Sequence, residues 1–406
     1  VKLNHGRHLA YCTNIHRGET WPETLASLKQ YALAVREKIC PRPPFAIGLR
    51  LSNRAAVELS ERQTRLAFQR WLEKNNCYVF TINGFPFGNF HGARVKEKVY
   101  QPDWTAPARL AYTNLLFDLL AEILPAGIEG SVSTVPGAFK EFVKGNAQKK
   151  LVRENIFRCV EHVALVSEKS KRTLHLGLEP EPLCLLENSA ETILFFEQLR
   201  AEHQNDPRLA EFLGVNYDCC HFAVEFEEPC AAIGALQNAG IKISKLHLSS
   251  ALKTKATTEA RAALKHFADD VYLHQVIARD ESGKLKFHRD LPDALESFKF
   301  QVSSVQSKPL ETENLKLETL EEWRIHFHVP LHAPAAPPFA NTNDHLLGAL
   351  DWLAENPKLC AHLEMETYTW EVLPPELKAR SVVEQLVAEY DWTLARLAER
   401  GIGIKK

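Results

Sequence analysis

Glutamate, aspartate and histidine gather at the ends of four apolar stretches of the chain. Glu179 and Glu181 stand in LGLEPEP, Asp218 and His221 in YDCCH, His247 in KLHLSS, and Glu364 and Glu366 in LEMETYTW. Three carboxylates with one imidazole form an oxygen-rich donor set with a single borderline nitrogen. Such a set suits Mn²⁺ or Mg²⁺ and also admits Zn²⁺, Co²⁺ or Fe²⁺. It does not describe a thiolate site. The nine cysteines show no CxxC spacing, and the adjacent Cys219 and Cys220 read as small buried hydrophobes. Residues two apart on a strand share a face, so alternation does not choose between Glu179 and Glu181, or between Glu364 and Glu366. His221, three residues after Asp218, would point away from it on a continuing strand and turns towards it only if the strand ends at the cysteines.

These residues can meet only if their stretches are neighbouring strands with their ends on one side. The chain supports that arrangement, because short apolar or β-branched runs alternate with longer segments of helical period. Nine strand candidates follow in order: HLAYCTNI, FAIGLRLS, CYVFTINGF, EGSVSTVPG, LHLGLEPEP, GVNYDCCHFAV, ISKLHLSSAL, WRIHFHVPLH and AHLEMETYTW. Helical segments lie between most of them, and Thr20 is placed to cap the first. VYLHQVIARDESGKLKFHRDL reads as a hairpin around Gly283. The pattern predicts an α/β fold, a (β/α)₈ TIM barrel in a single domain over 1–406, with an inserted hairpin and extra segment at about 268–335. A doubly wound sheet would be expected to carry a Gly-rich turn after its first strand, and TNIHRGETW is not one. No internal repeat or low-complexity linker interrupts the chain.

In a parallel barrel the reacting groups sit where strands end and βα loops begin, and Glu179, Asp218, His247 and Glu366 all occupy such positions. The long loop after CYVFTINGF holds Asn83 and His91, which either contact a ligand or belong to a loop core. Tyr368 and Trp370 either wall a pocket beyond Glu366 or simply pack. RIHFHVPLH is the surplus strand. Its His326 and His328 face the same way and form either a zinc-binding pair or a pair satisfied in a polar interior. The sequence leaves open whether it joins the barrel or the insert.

The bulk properties bound the partners. The chain has 406 residues, 45% hydrophobic and 25% charged, with a formal net charge of −2, so a soluble globular protein with a substantial core is expected. Basic residues are spread along the chain, which argues against a nucleic-acid footprint. No apolar run approaches a membrane span, and VKLNHGRHLAYC has polar residues where a leader's apolar region belongs. Reduced thiols, a cytoplasmic location and no membrane anchor are the expectations.

LEPEP, DxxH, LHLSS and LEMET on consecutive strands resemble the xylose-isomerase-like TIM-barrel superfamily of sugar epimerases, sugar-phosphate isomerases and endonuclease IV. Within it, LAYCTNIHRGETW, FTINGFPFGNFHG, YLHQV, RIHFHVPLH and LEMETYTW together resemble the EboE family, called metabolite traffic proteins, over nearly the whole chain. The superfamily resemblance implies a divalent metal held by Glu179, Asp218, His247 and Glu366, with His221 binding substrate or supporting Asp218. Asn83, His91, His328, Tyr368 and Trp370 are the further candidates for substrate contact.

The leading functional reading is a metal-dependent isomerase or epimerase acting on a small hydroxycarbonyl metabolite, with Glu179 and Glu366 as base and acid on opposite sides of it. The EboE resemblance implies a bacterial operon context in which small precursor metabolites, some terpenoid-like, are handled alongside other proteins of that operon. A protein that binds and hands over such a metabolite without turnover is the alternative. Endonuclease IV-like phosphodiester hydrolysis ranks lower, since GSVSTVPG lacks the histidine expected there and FHRDLPDAL departs from the later pattern.

Overall fold

The computed structural model describes residues 1–297, 321–334, 336–378 and 380–405. The chain lays down β1 (His8–Cys12), β2 (Phe45–Arg50), β3 (Cys77–Asn83), β4 (Gly130–Thr134), β5 (Leu174–Leu178), β6 (Leu213–Asp218) and β7 (Lys242–Leu248). It then leaves this sheet for β8 (Ala251–Lys255), β9 (Val276–Arg279), β10 (Leu285–His288), β11 (Glu322–His328) and β12 (Phe339–Asn341), before returning as β13 (His362–Met365). Strands β1 to β7 and β13 form a closed parallel barrel, with β13 between β7 and β1. The eight-stranded barrel expected from the sequence is therefore present.

Barrel strands β1 to β6 and β13 are buried along their whole length. Covered on both faces, they appear in sequence as near-continuous apolar runs and give little alternation to read. Helices cover the outside: Pro107–Ile123 packs on β3 and β4, and Asn146–Ser170 on β5. The first helix begins where the sequence places it. Thr20 accepts from Glu23 N at 3.3 Å while Glu23 Oε2 accepts from Thr20 N at 2.9 Å, closing a capping box.

The remaining strands form a separate antiparallel sheet in the order β10-β9-β11-β8-β12. The expected hairpin is its β9–β10 edge, with Gly283 at φ +85° in the connecting turn, a left-handed conformation that favours glycine. RIHFHVPLH is β11 and pairs with β8 and β9, so it belongs to this accessory sheet. Trp323, Ile325 and Phe327 enter the sheet's own apolar core with Leu252, Phe267 and Val276. Arg324, His326 and His328 alternate onto the opposite face, where Arg324 Nη1 donates to Ala223 O at 2.7 Å. The sheet also takes in β8 and β12, on either side of the 268–335 segment. Residues 298–320 of that segment lie outside the described residues.

Two stretches read as single strands are divided. GVNYDCCHFAV is a strand only to Asp218, after which Cys219–Val224 is a helix with Asp218 as its N-cap. ISKLHLSSAL changes sheets at Ser249–Ser250. No helix among the described residues is long and apolar enough to cross a membrane.

Candidate metal centre

At the C-terminal mouth of the barrel, His247 Nδ1 lies 3.0 Å from Glu179 Oε1, 3.2 Å from Glu366 Oε2 and 3.3 Å from Asp218 Oδ2. Ligand atoms of all four residues lie within 4.8 Å of one another, and all four residues are buried. Strand register produces the convergence. His247 pairs with Asp218 of β6 on one side and with Glu364 of β13 on the other. Glu179 and Glu366 follow their strands directly, with backbone N–H groups donating to Thr134 O and Leu248 O, each at 3.1 Å.

The structure divides the two glutamate pairs that alternation left open. Glu364 points into the barrel below the cluster, where its Oε2 accepts from Lys245 Nζ at 2.6 Å and from His247 Nε2 at 3.0 Å. Burial would raise this carboxyl, but Lys245 and His247 hold it at about 2. Glu366 is turned to the mouth, its Oε1 accepting from Asn14 Nδ2 at 2.6 Å and Asn83 Nδ2 at 3.4 Å. Glu179 joins the cluster, whereas Glu181 accepts from the Tyr100 hydroxyl at 2.6 Å, and burial pushes its carboxyl up to about 7.

The donor set fits a divalent cation. Because Nε2–H of His247 is donated to Glu364, the nitrogen facing the carboxylates is Nδ1. Bonds of about 2.0–2.2 Å to one shared ion set neighbouring ligand atoms about 3.0–3.5 Å apart, the spacing seen around Nδ1. Glu179 Oε2 and Asp218 Oδ2 are buried with no hydrogen-bond partner among the described residues, which is costly unless a positive charge is supplied. Burial opposes charge at His247 and at Asp218. Glu366 and Glu179 nevertheless push His247 well above the usual imidazole range, and His221, His328 and His247 hold Asp218 well below that of a carboxyl.

The other candidates separate into neighbours of the cluster and supports of the loops. His221 turns back because the strand ends at the cysteines. Its backbone N–H donates to Asp218 Oδ1 at 3.0 Å and its Nε2 stands 3.9 Å from the same oxygen. Cys219 and Cys220 are fully buried free thiols, pushed up by burial. Tyr368 and Asn83 line the cavity above Glu179 and Glu366, whereas Trp370 packs against the accessory-sheet core with Lys378 Nζ 5.5 Å from its ring. His91 has both ring nitrogens engaged, at 2.5 Å to the Tyr272 hydroxyl and 2.5 Å to Asn14 O, and so anchors the long loop over the mouth. Asn14 and Asn216, whose Nδ2 is 3.3 Å from His247 Nδ1, were not singled out by sequence. Asn14 follows the end of β1, the kind of position that gave the other candidates.

Neither a family model nor a curated protein matches the chain. Among solved structures it is similar to a xylose isomerase-like TIM barrel protein from Mycobacterium smegmatis in complex with magnesium, at 13% identity over 98% of each chain, with a TM-score of 0.50. The chain has the xylose-isomerase-like TIM-barrel fold. An L-ribulose 3-epimerase is similar at 12% identity over 97% of this chain and 95% of the other, with a TM-score of 0.48. The IolI protein with a bound zinc atom is similar at 10% identity over 97% and 98%, also with a TM-score of 0.48. To the xylose-isomerase-like barrel this chain adds the accessory sheet that carries His326 and His328.

Proposed function

We propose that this chain is a metal-dependent isomerase or epimerase of a small hydroxycarbonyl metabolite, with Glu179, Asp218, His247 and Glu366 as the ligands of one divalent cation. The observation that carries the reading is the convergence of three carboxylate oxygens on His247 Nδ1 at 3.0 to 3.3 Å. When bound, such a cation supplies polarisation of a carbonyl and its neighbouring hydroxyl, and stabilises the negative charge left as the adjacent C–H loses its proton.

The chain's own groups do the rest. Glu179 Oε2, unpartnered among the described residues, takes the proton, while Glu366 returns one from the other side. Asn14 and Asn83 hold Glu366 in orientation through Oε1. Tyr368, Asn83 and His221 line the cavity where the substrate's hydroxyl groups would lie. The EboE-like phrases of the sequence support a role for this chemistry in the handling of a bacterial precursor metabolite.

Exchange of a substrate α-proton with D₂O tests the reading. Purified protein loaded with Mn²⁺ is incubated with a panel of ketopentoses, ketohexoses and their phosphates and followed by NMR. Exchange that needs the metal and disappears in Glu179→Gln supports it. Full exchange in metal-stripped Glu179→Ala protein would sink it, and saturable binding without exchange would indicate a carrier.

A further inference from the structure

Glu181 has no part in the four-residue cluster, yet the accessory sheet holds it through a directed series of hydrogen bonds. His326 of β11 donates from Nδ1 to Gln275 Oε1 at 2.8 Å. Gln275 stands just before β9, and its Nε2 donates to the Tyr100 hydroxyl at 2.8 Å and to Pro182 O at 3.1 Å. The Tyr100 hydroxyl in turn donates to Glu181 Oε1 at 2.6 Å. An amide oxygen only accepts and an amide nitrogen only donates, so every hydrogen in the series points towards Glu181. Strand pairing fixes the far end, because His326 N donates to Gln275 O at 2.8 Å. His326, Gln275 and Tyr100 are all buried.

The series ends on one oxygen. Tyr100 at 2.6 Å, Gln275 Nε2 at 3.4 Å and His326 Nδ1 at 3.4 Å all approach Oε1, and none of the described residues bonds Oε2. Glu181 lines the cavity that Glu179 and Glu366 also line. A polar atom held in place before a ligand arrives lowers the ordering cost of binding.

We propose that Glu181 is a substrate-binding residue whose Oε2 takes a hydroxyl group beyond the reacting carbons, and that the accessory sheet thereby sets specificity for an uncharged polyhydroxy carbonyl compound. Tyr100 and Gln275 are its positioning residues. The proposal takes from the preceding reading only the place of the substrate, over Glu179 and Glu366. The lining favours an uncharged ligand. Its one lysine or arginine among the described residues is Lys96, whose Nζ is taken by Asp290 Oδ2 at 2.7 Å and Asp269 O at 2.8 Å. The carboxylates of Glu179, Asp218 and Glu366 already outweigh one divalent cation. A phosphate or carboxylate on the substrate therefore meets like charge with no fixed cation to pair with. A hydroxyl group bonds Oε2 whether the Glu181 carboxyl is protonated or not, so this role does not turn on its titration.

Binding tests the proposal without turnover. Full-length protein loaded with Mg²⁺ is titrated with ketopentoses, ketohexoses and their phosphates and followed by saturation-transfer NMR, with circular dichroism confirming that each variant folds. The unphosphorylated ketoses are expected to bind about tenfold or more tightly than their phosphates. Glu181→Ala should weaken ketose binding about tenfold, the effect of one hydrogen bond to a charged group. Glu181→Gln keeps an oxygen for Tyr100 and a polar atom for the hydroxyl, and should restore part of that loss. Tyr100→Phe, which leaves Glu181 itself intact, should weaken ketose binding several-fold at unchanged Mg²⁺ affinity, whereas a merely structural Tyr100 would leave ketose affinity where it was. Phosphates bound as tightly as their ketoses, no binding of any ketose, or ketose affinity unchanged in Glu181→Ala or in Tyr100→Phe would each overturn the proposal. Ketose binding that depends on Glu181 without α-proton exchange would support it and count against the isomerase. Exchange indifferent to Glu181→Ala would do the reverse.

Discussion

Glu364 lies directly beneath His247, its Oε2 3.0 Å from Nε2 of that imidazole and 2.6 Å from Lys245 Nζ. A lysine and a carboxylate inside the barrel thus set which nitrogen of His247 faces the mouth. The pair is fully buried, so each charge is tolerable only beside the other. Lys245→Met should cost up to about 3–5 kcal/mol by leaving Glu364 with His247 alone to compensate its charge. The double variant Lys245→Met/Glu364→Gln should recover part of that loss, measured by denaturant unfolding. A double variant no more stable than the single would contradict the pairing.

Gly48 makes room for Glu364. A Cβ there would stand 1.7 Å from Glu364 Oε1 and 3.3 Å from the Ala10 side chain. Gly48→Ala should therefore displace Glu364 and loosen His247 without touching any group at the mouth. Loss of an outer partner of this kind typically lowers metal affinity about 10–100-fold. Calorimetric titration with Zn²⁺ measures it, and unchanged affinity would show that Glu364 does not orient His247.

A cation at the mouth must displace the proton that the surrounding carboxylates hold on His247. Although burial opposes it, Glu366 and Glu179 keep this imidazole protonated well above its usual range. Binding at neutral pH should release about one proton from His247. The release is read as the dependence of calorimetric enthalpy on the ionisation enthalpy of the buffer, and affinity should rise with pH. An enthalpy independent of buffer would refute the assignment of His247 Nδ1 as ligand. Loading at about 100 times Kd should also stabilise the fold by about 2.7 kcal/mol, reversed by chelation.

Away from the site, Glu389 on the terminal helix Val382–Ala398 is buried, accepting from Leu331 N at 3.0 Å and Thr367 Oγ1 at 2.7 Å. Burial pushes its carboxyl from 4.5 up to about 7. Below pH 4.5 both folded and unfolded chains are protonated there. Between 4.5 and about 7 the folded chain holds the extra proton, so this group's contribution to stability falls as pH rises and levels off above. The loss amounts to about 3 kcal/mol. Glu389→Gln should leave stability unchanged at pH 4 and raise it at pH 8 by about that amount at most, measured by chemical unfolding at each pH. An equal effect at both pH values would rule out the titration.

Much was legible in the sequence because it rests on local rules. The order of the strands, the hairpin at Gly283 and the cap at Thr20 follow from period, turn chemistry and side-chain geometry, which neighbouring residues carry among themselves. The composition of the donor set, and its place at strand ends, follow from the same reading. Only the tertiary structure decided which member of each glutamate pair faces the mouth. For Glu364 and Glu366 that choice depends on Lys245, a strand away in the barrel and 119 positions from Glu364 in the chain, and on the space left at Gly48. It also decided that the strand of His326 and His328 leaves the barrel and returns its histidines to the ring of His221. Local pattern gives a strand two faces, but only its pairing partners and the cores beneath it determine what each face meets.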